Sequence, residues 1–279
     1  MINAGSPILK LSNVCKTYEM KGRQAVQALQ NVDLALYPGE CLGIVGQSGS
    51  GKSSLAKCVT QLEQVTSGEI WYHGQEITRL KGEKLRQMRK QIQMVFQEPA
   101  AIFNPRMKVG MFIGEPLLNY KMMKRQAAAQ ETRRLLERVG LSAMDADKYP
   151  HELSGGQQQR AVIARAIGLR PEIILFDEAT SALDVSIQQQ VLDLLMELRR
   201  ETGVSSIFIS HDLAVVQQVS DRIAVMHQGR VVEVVDSAKL TSSANHPYTR
   251  SLMSSALSLR ELKDDMQRRE RIEVLAGSR

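Results

Sequence analysis

The chain has 279 residues, 43% of them hydrophobic and 24% charged, with a formal net charge of +6. That length supports a substantial core without disulfides, and the composition excludes a membrane-spanning chain, because no apolar run approaches the roughly 18–20 residues a membrane helix needs. Acidic residues are interspersed with the basic ones almost everywhere, so no dedicated nucleic-acid stripe is indicated.

In chain order, Ile8 to Tyr18 and Ala28 to Tyr37 alternate apolar and polar residues by two, as half-buried strands do. The turn YPGE at 37–40 leads into a buried strand, CLGIVG. Further strands are predicted at 68–74 (GEIWYHG) and 92–97 (IQMVFQ). Between 107 and 146 the period becomes helical: Leu135, Leu136 and Val139 share one face, and Arg133, Arg134 and Arg138 lie off it. This predicts a helical insert in an α/β chain.

Beyond the insert, EIILFDEA at 172–179 and VSSIFIS at 204–210 read as strands around the helix IQQQVLDLLMELRRETG. RIAVMHQGRVVEVV at 222–235 reads as a hairpin turning at Gln228-Gly229. Fully apolar strands alternating with helices predict a mainly parallel sheet covered on both faces, and the alternating first strands predict an antiparallel edge. After about residue 236 the chain is expected to be irregular, closing in a mixed-charge tail that reads as a solvated helix or frayed end. Cys15, Cys41 and Cys58 have no zinc-like spacing and fit a reducing compartment. The first residues, MINAGSPILKLSN, show neither a basic nor an apolar signal region, so a cytoplasmic location is expected.

The chemistry begins at residues 43–59, GIVGQSGSGKSSLAKCV, where glycine and serine crowd a strand-to-helix junction. Gly46, Gln47, Ser48, Gly49, Ser50, Gly51, Lys52 and Ser53 fit a phosphate-binding loop, with Ser54 next in the nucleotide-binding set. Without a Cβ, the glycines let successive N–H groups turn inward around phosphates, and the helix start adds its positive dipole end. Lys52 would reach the β- and γ-phosphates, and the Ser53 hydroxyl would bind Mg²⁺. A carboxylate partner is supplied by IILFDE: Asp177 ends a buried strand and would hold the metal, and Glu178 would orient or deprotonate an attacking water. The segment Leu153, Ser154, Gly155, Gly156, Gln157 opens another helix roughly 100 residues on and forms a second anion site. From average composition that pentapeptide should arise by chance on the order of once in several thousand such chains.

At this point the sequence resembles the ATP-binding subunits of ABC transporters over nearly its whole length. Residues 46–53 match that family's Walker A motif, Gln97 its Q-loop, Leu153 to Gln157 its signature and Ile173 to Asp177 its Walker B motif. Glu178 matches the catalytic glutamate; Ser181, Ala182, Leu183 and Asp184 match the D-loop, and His211 the switch histidine. Tyr18 stands where the family stacks an aromatic ring on adenine. The resemblance implies an α/β fold: a P-loop core of mainly parallel sheet with an antiparallel β subdomain (1–98 and 156–235), a helical insert (99–155) and a tail (236–279). It also implies ATP and Mg²⁺ as cofactors and a head-to-tail pair of nucleotide domains, in which Ser154 and Gly156 of one close over the nucleotide on Lys52 and Ser53 of the other. Gln97 would join the Mg²⁺ shell and couple the site to the insert, His211 would contact the γ-phosphate, and Asp184 would link the two sites. The chain has DEAT where the family usually has DEPT; Ala179 removes a rigid turn element but no catalytic atom.

QEPAAIFNPRMKVG at 97–110 and HPYTRSLMSSA at 246–256 resemble the oligopeptide, dipeptide and nickel importer branch. That branch implies a second, unlike ATPase, two integral-membrane permeases and an extracytoplasmic solute-binding protein, with the chain peripheral on the cytoplasmic face of the membrane and no nucleic-acid partner. Many peptide-type relatives carry a cysteine-rich extension beyond RRERIEVLAGSR. Its absence here mildly favours nickel or a metallophore over peptide as cargo. The alternatives are a soluble ABC ATPase acting on nucleic acid or ribosomes, and an exporter subunit; the single Walker A, the short insert and the branch resemblance weigh against both.

Overall fold

The computed structural model describes residues 5–19 and 25–255. The tail segment from 256 onward, with its solvated-helix reading, lies outside these residues.

Two sheets form from the strands. Strands β1 (Leu9–Tyr18), β2 (Val26–Leu36), β4 (Ser67–Tyr72) and β5 (Gln75–Glu76) make an antiparallel sheet in the order β2-β1-β4-β5. Strands β3 (Cys41–Val45), β6 (Ile92–Val95), β7 (Ile173–Asp177), β8 (Ser205–Ser210), β9 (Arg222–His227) and β10 (Arg230–Asp236) make the second, in the order β10-β9-β3-β8-β7-β6. All neighbours in it are parallel except β9 and β10. The antiparallel part predicted as an edge is therefore a sheet of its own. Gln228 and Gly229 turn the β9–β10 hairpin, both with positive φ (47° and 80°) as tight two-residue turns require.

The apolar runs of the parallel strands resolve into two faces by alternation. In β3, Leu42 and Ile44 pack toward the antiparallel sheet, and Cys41 and Val45 face the other way. In β7, Ile173 and Leu175 take the first face and Ile174 and Phe176 the second. Helices α1 (Lys52–Val59) and α2 (Gly82–Gln91) cover the first face with the antiparallel sheet. The second carries α3 (Val109–Asn119), α4 (Arg125–Arg138), α5 (Gly155–Gly168), α6 (Val185–Thr202) and α7 (Leu213–Val219). Leu135, Leu136 and Val139 are buried in this layer, as their spacing predicts.

The stretch after 236 is more ordered than its sequence suggests. Asp236 accepts the Ala238 N–H at 3.0 Å and starts a short turn, Ser237–Lys239, that runs into α8 (Leu240–Ser243). Residues 247–255 are helical too, and Tyr248, Leu252 and Met253 pack onto the core. All three cysteines are free, and burial pushes the Cys58 thiol up to about 11, which keeps it unreactive. Among the described residues no helix is long and apolar enough to cross a membrane.

Candidate functional site

The site forms where β3, β7 and β8 end side by side. After Val45 the chain leaves β3 and turns through residues 46–51, with the Ser50 N–H donating to Gln47 O at 3.1 Å, before α1 begins at Lys52. Gly51 has φ +101° and its α-carbon faces the β2 backbone so closely that a methyl there would lie 2.3 Å from Ala28 O. Gly51→Ala is thus expected to cost about 1–3 kcal/mol in denaturant unfolding; an unchanged midpoint would contradict the packing. At the loop's start, a methyl on Gly46 would lie 2.2 Å from Met226 O, so the loop sits against β9 as well.

Lys52 is 4% exposed, and its ammonium bends back over the loop to donate to Gly46 O at 2.8 Å and Gln47 O at 3.0 Å. Burial pulls its pKa below the ordinary lysine value, opposed by Glu178 and Asp177. The Ser53 hydroxyl donates to Asp177 Oδ1 at 3.0 Å, joining the helix start to the end of β7.

Asp177 is 7% exposed, and burial raises its pKa above the usual carboxylate range, partly offset by the Ser53 hydroxyl. With the folded-state value above the unfolded one, the stability tied to neutral Asp177 is full below the unfolded value, is lost as the pH rises to the folded one, and is gone above it. Asp177→Asn keeps an acceptor for Ser53 and removes the charge. We expect it to raise the thermal midpoint of the nucleotide-free protein at pH 7 by about 2–4 °C, and a lowered midpoint in calorimetry would contradict this.

Glu178 stands just past β7 in the left-handed backbone region (φ 49°), where a non-glycine residue is strained by about 1–2 kcal/mol. Its N–H donates to Ile209 O of β8 at 3.0 Å, which holds the turn. So placed, its carboxylate has one oxygen 3.9 Å from Lys52 Nζ and the other 3.6 Å from His211 Nδ1. His211 follows β8 and is 60% exposed at its side chain. The Ser181 hydroxyl donates to Glu178 O at 2.9 Å and accepts from Gln97 Nε2 at 3.4 Å. Lys52, Ser53, Gln97, Asp177, Glu178, Ser181 and His211 thereby converge.

The signature is a separate feature. Leu153 is buried, and Ser154 and Gln157 cap the start of α5 reciprocally: Ser154 Oγ accepts the Gln157 N–H at 3.3 Å and Gln157 Oε1 accepts the Ser154 N–H at 2.9 Å. A methyl on Gly156 would lie 2.4 Å from Ile187 Cγ2 of α6, which fits glycine there. Among the described residues no hydrogen bond or ion pair joins 153–157 to the phosphate loop. Asp184 precedes α6 at its exposed start, with Ala182 exposed and Leu183 half-buried beside it. Tyr18 is half-buried; its hydroxyl donates to Glu63 and lies 3.3 Å from Ser54 Oγ, with the Lys16 ammonium 4.7 Å from its ring centre.

The donor set fits a nucleotide and a hard cation. The loop joins glycine backbone, a buried lysine and a helix start, which suits phosphate. The Ser53 hydroxyl beside the Asp177 carboxylate suits Mg²⁺, which takes one or two protein oxygens and fills its remaining positions with water and phosphate. Among the described residues no three His, Cys, Asp or Glu side chains are grouped to hold a metal by themselves. Sequence reasoning missed the neighbours that support the loop from far along the chain, Ala28, Met226 and Gly229. No local signal marks them.

This fold is that of an ATP-binding cassette, and the chain belongs to the ABC transporter family, whose profile matches residues 29–181. It is 44% identical to the glutathione import ATP-binding protein GsiA of Pectobacterium atrosepticum over 96% of its own length and 43% of that relative's. The chain thus spans less than half of the relative it matches. Among solved structures, the dimeric post-hydrolysis ATP-binding cassette MJ0796 bound to ADP and Pi is similar at a TM-score of 0.75 and 33% identity, covering 82% of this chain and 98% of that one. cbiO1 from Clostridium perfringens, part of the ABC transporter complex cbiONQ, is similar at a TM-score of 0.75 and 25% identity, covering 94% and 100%.

Proposed function

We propose that the chain is the ATP-hydrolysing motor subunit of an ABC importer. The observation that carries the ATP-hydrolysing reading is the convergence of Lys52, Ser53, Asp177, Glu178 and His211 at the ends of three adjacent parallel strands, and the import direction is supported by the name of the similar relative. Nucleotide would lie on the loop 46–53 and Ser54, with Tyr18 beside the adenine. Mg²⁺ would be held by Ser53 and Asp177, with Gln97 at its edge, and would neutralise charge on the phosphates. Glu178 would orient water and take its proton, and His211 would steady the γ-phosphate. Lys52 leaves two carbonyl oxygens to reach phosphate, so its desolvated ammonium gains a partner of full opposite charge.

Leu153, Ser154, Gly155, Gly156 and Gln157 would serve the nucleotide of a second cassette, since Ser154 and the first N–H groups of α5 make an anion site away from the loop. The D-loop, Ser181 to Asp184, would lie along that junction. We divide the chain into a catalytic core with the antiparallel sheet (1–98 and 156–235), the helical insert (99–155) and a tail (236–279). The partners would be an unlike second ATPase, two permeases and an extracytoplasmic solute-binding protein, with this chain peripheral on the cytoplasmic face of the membrane. For cargo we favour a small peptide over nickel or a metallophore, supported by the glutathione-import name of the similar relative.

The test is to tag the Glu178→Gln chain in its native cell, solubilise membranes gently with ATP present, and identify what copurifies. Two permeases and a second ATPase are expected. Ribosomes or DNA-bound proteins without a permease would put the soluble ATPase reading in its place.

A further inference from the structure

The Gly46–Gln47 peptide group is clasped at both ends. Its carbonyl oxygen accepts the Lys52 ammonium at 2.8 Å, and its N–H donates to the Tyr248 hydroxyl at 3.1 Å. Tyr248 lies 201 positions along the chain and sets its ring on His227, with centroids 4.0 Å apart and planes 31° from parallel. His227 ends β9, and two residues later the Gly229 N–H donates to Ser50 O at 3.0 Å. The β9–β10 hairpin and Tyr248 therefore grip the phosphate loop together.

The segment bearing Tyr248 is anchored independently of the loop. Glu233 on β10 accepts the Asn245 N–H at 2.7 Å and the His246 N–H at 3.2 Å. His246 Nδ1 accepts the Tyr248 N–H at 3.2 Å, and the Arg250 guanidinium donates to Ala244 O at 3.1 Å. Leu252 and Met253 bury themselves on the core below.

We propose that Tyr248 is a positioning residue of the phosphate loop, and that residues 244–255 form a strap whose docking is coupled to nucleotide binding. A peptide group held at its N–H cannot rotate, so the loop keeps its folded path between β3 and α1 before nucleotide arrives and after Lys52 leaves the carbonyl for phosphate. Released from Tyr248, that N–H turns to water and the loop must be ordered again on binding, at the expense of conformational entropy. Linkage makes the effect reciprocal: whatever factor the strap adds to nucleotide affinity, nucleotide returns to strap docking.

This inference rests on the nucleotide-binding reading, and Tyr248→Phe tests the two separately, because it keeps the ring on His227 and removes the acceptor oxygen. The Kd for MgATP is expected to rise about 3–10-fold, the loss of one modest hydrogen bond, in a chain whose circular dichroism is unchanged. In hydrogen exchange, the 247–255 amides of the wild type should gain protection on adding MgATP, and those of the variant should not. Glu233→Ala, which frees the strap at a distance from the loop, should weaken MgATP binding in the same way. Unchanged affinity and protection in both variants would overturn the strap while leaving the site intact, and so would an affinity loss accompanied by a changed circular dichroism spectrum. A wild-type chain that fails to bind MgATP would overturn the nucleotide reading and the strap with it.

Discussion

Glu178→Gln is expected to bind ATP and to hydrolyse it about 10²–10⁴-fold more slowly than the wild type, the range a positioned general base contributes. Glutamine has the shape of glutamate, so the left-handed turn and the N–H bond to Ile209 O are kept. What is lost is the carboxylate between Lys52 at 3.9 Å and His211 at 3.6 Å, the only change made to the proton path. The cradle is untouched, because Lys52 still has Gly46 O and Gln47 O to rest on. Single-turnover hydrolysis beside a binding isotherm separates the two quantities. Normal turnover by a preparation free of contaminating ATPase would remove Glu178 from the catalytic role.

Lys52→Ala should act on the other quantity and raise the Kd for ATP about 10–100-fold. One charge-assisted contact to phosphate contributes about 1.5–3 kcal/mol, and each 1.4 kcal/mol is a factor of ten. A second loss adds to it: Asp177 and Glu178 then face the phosphates without the cation beside them, and burial already disfavours the charged form of Asp177. Equilibrium dialysis of labelled ATP against a variant of unchanged circular dichroism reads this directly. An unaltered affinity would show that residues 46–53 are a structural turn.

What was legible in the sequence is what is local in the chain. The phosphate loop, the Asp177-Glu178 strand end and the signature each place their chemistry within a few residues, so composition and spacing reveal them. The apolar strands were legible as buried, and the alternation of Leu42 and Ile44 against Cys41 and Val45 shows why their runs are continuous: both faces are covered. Helix α2 was missed because GEKLRQMRKQ buries only Met88 and carries no apolar stripe. The left-handed backbone of Glu178 is set by its bond to β8, and the place of Gly51 by Ala28 across the loop. Tyr248 could be read as part of a branch resemblance but not as a neighbour of Gln47, because 201 residues of chain separate them.

Strand β3 is flanked by β9 and β8, which begin at Arg222 and Ser205. During synthesis the ribosome must add about 160 residues after Val45 before the first of these partners starts to appear, roughly 8–30 s at 5–20 residues per second. Throughout that interval an apolar strand with two open edges is left to whatever captures nascent chains. Ala28 of β2 is in place before the loop is made, but the Met226 and Gly229 contacts wait for the hairpin of β9 and β10, so a nucleotide meets the fully supported loop only after that hairpin has formed.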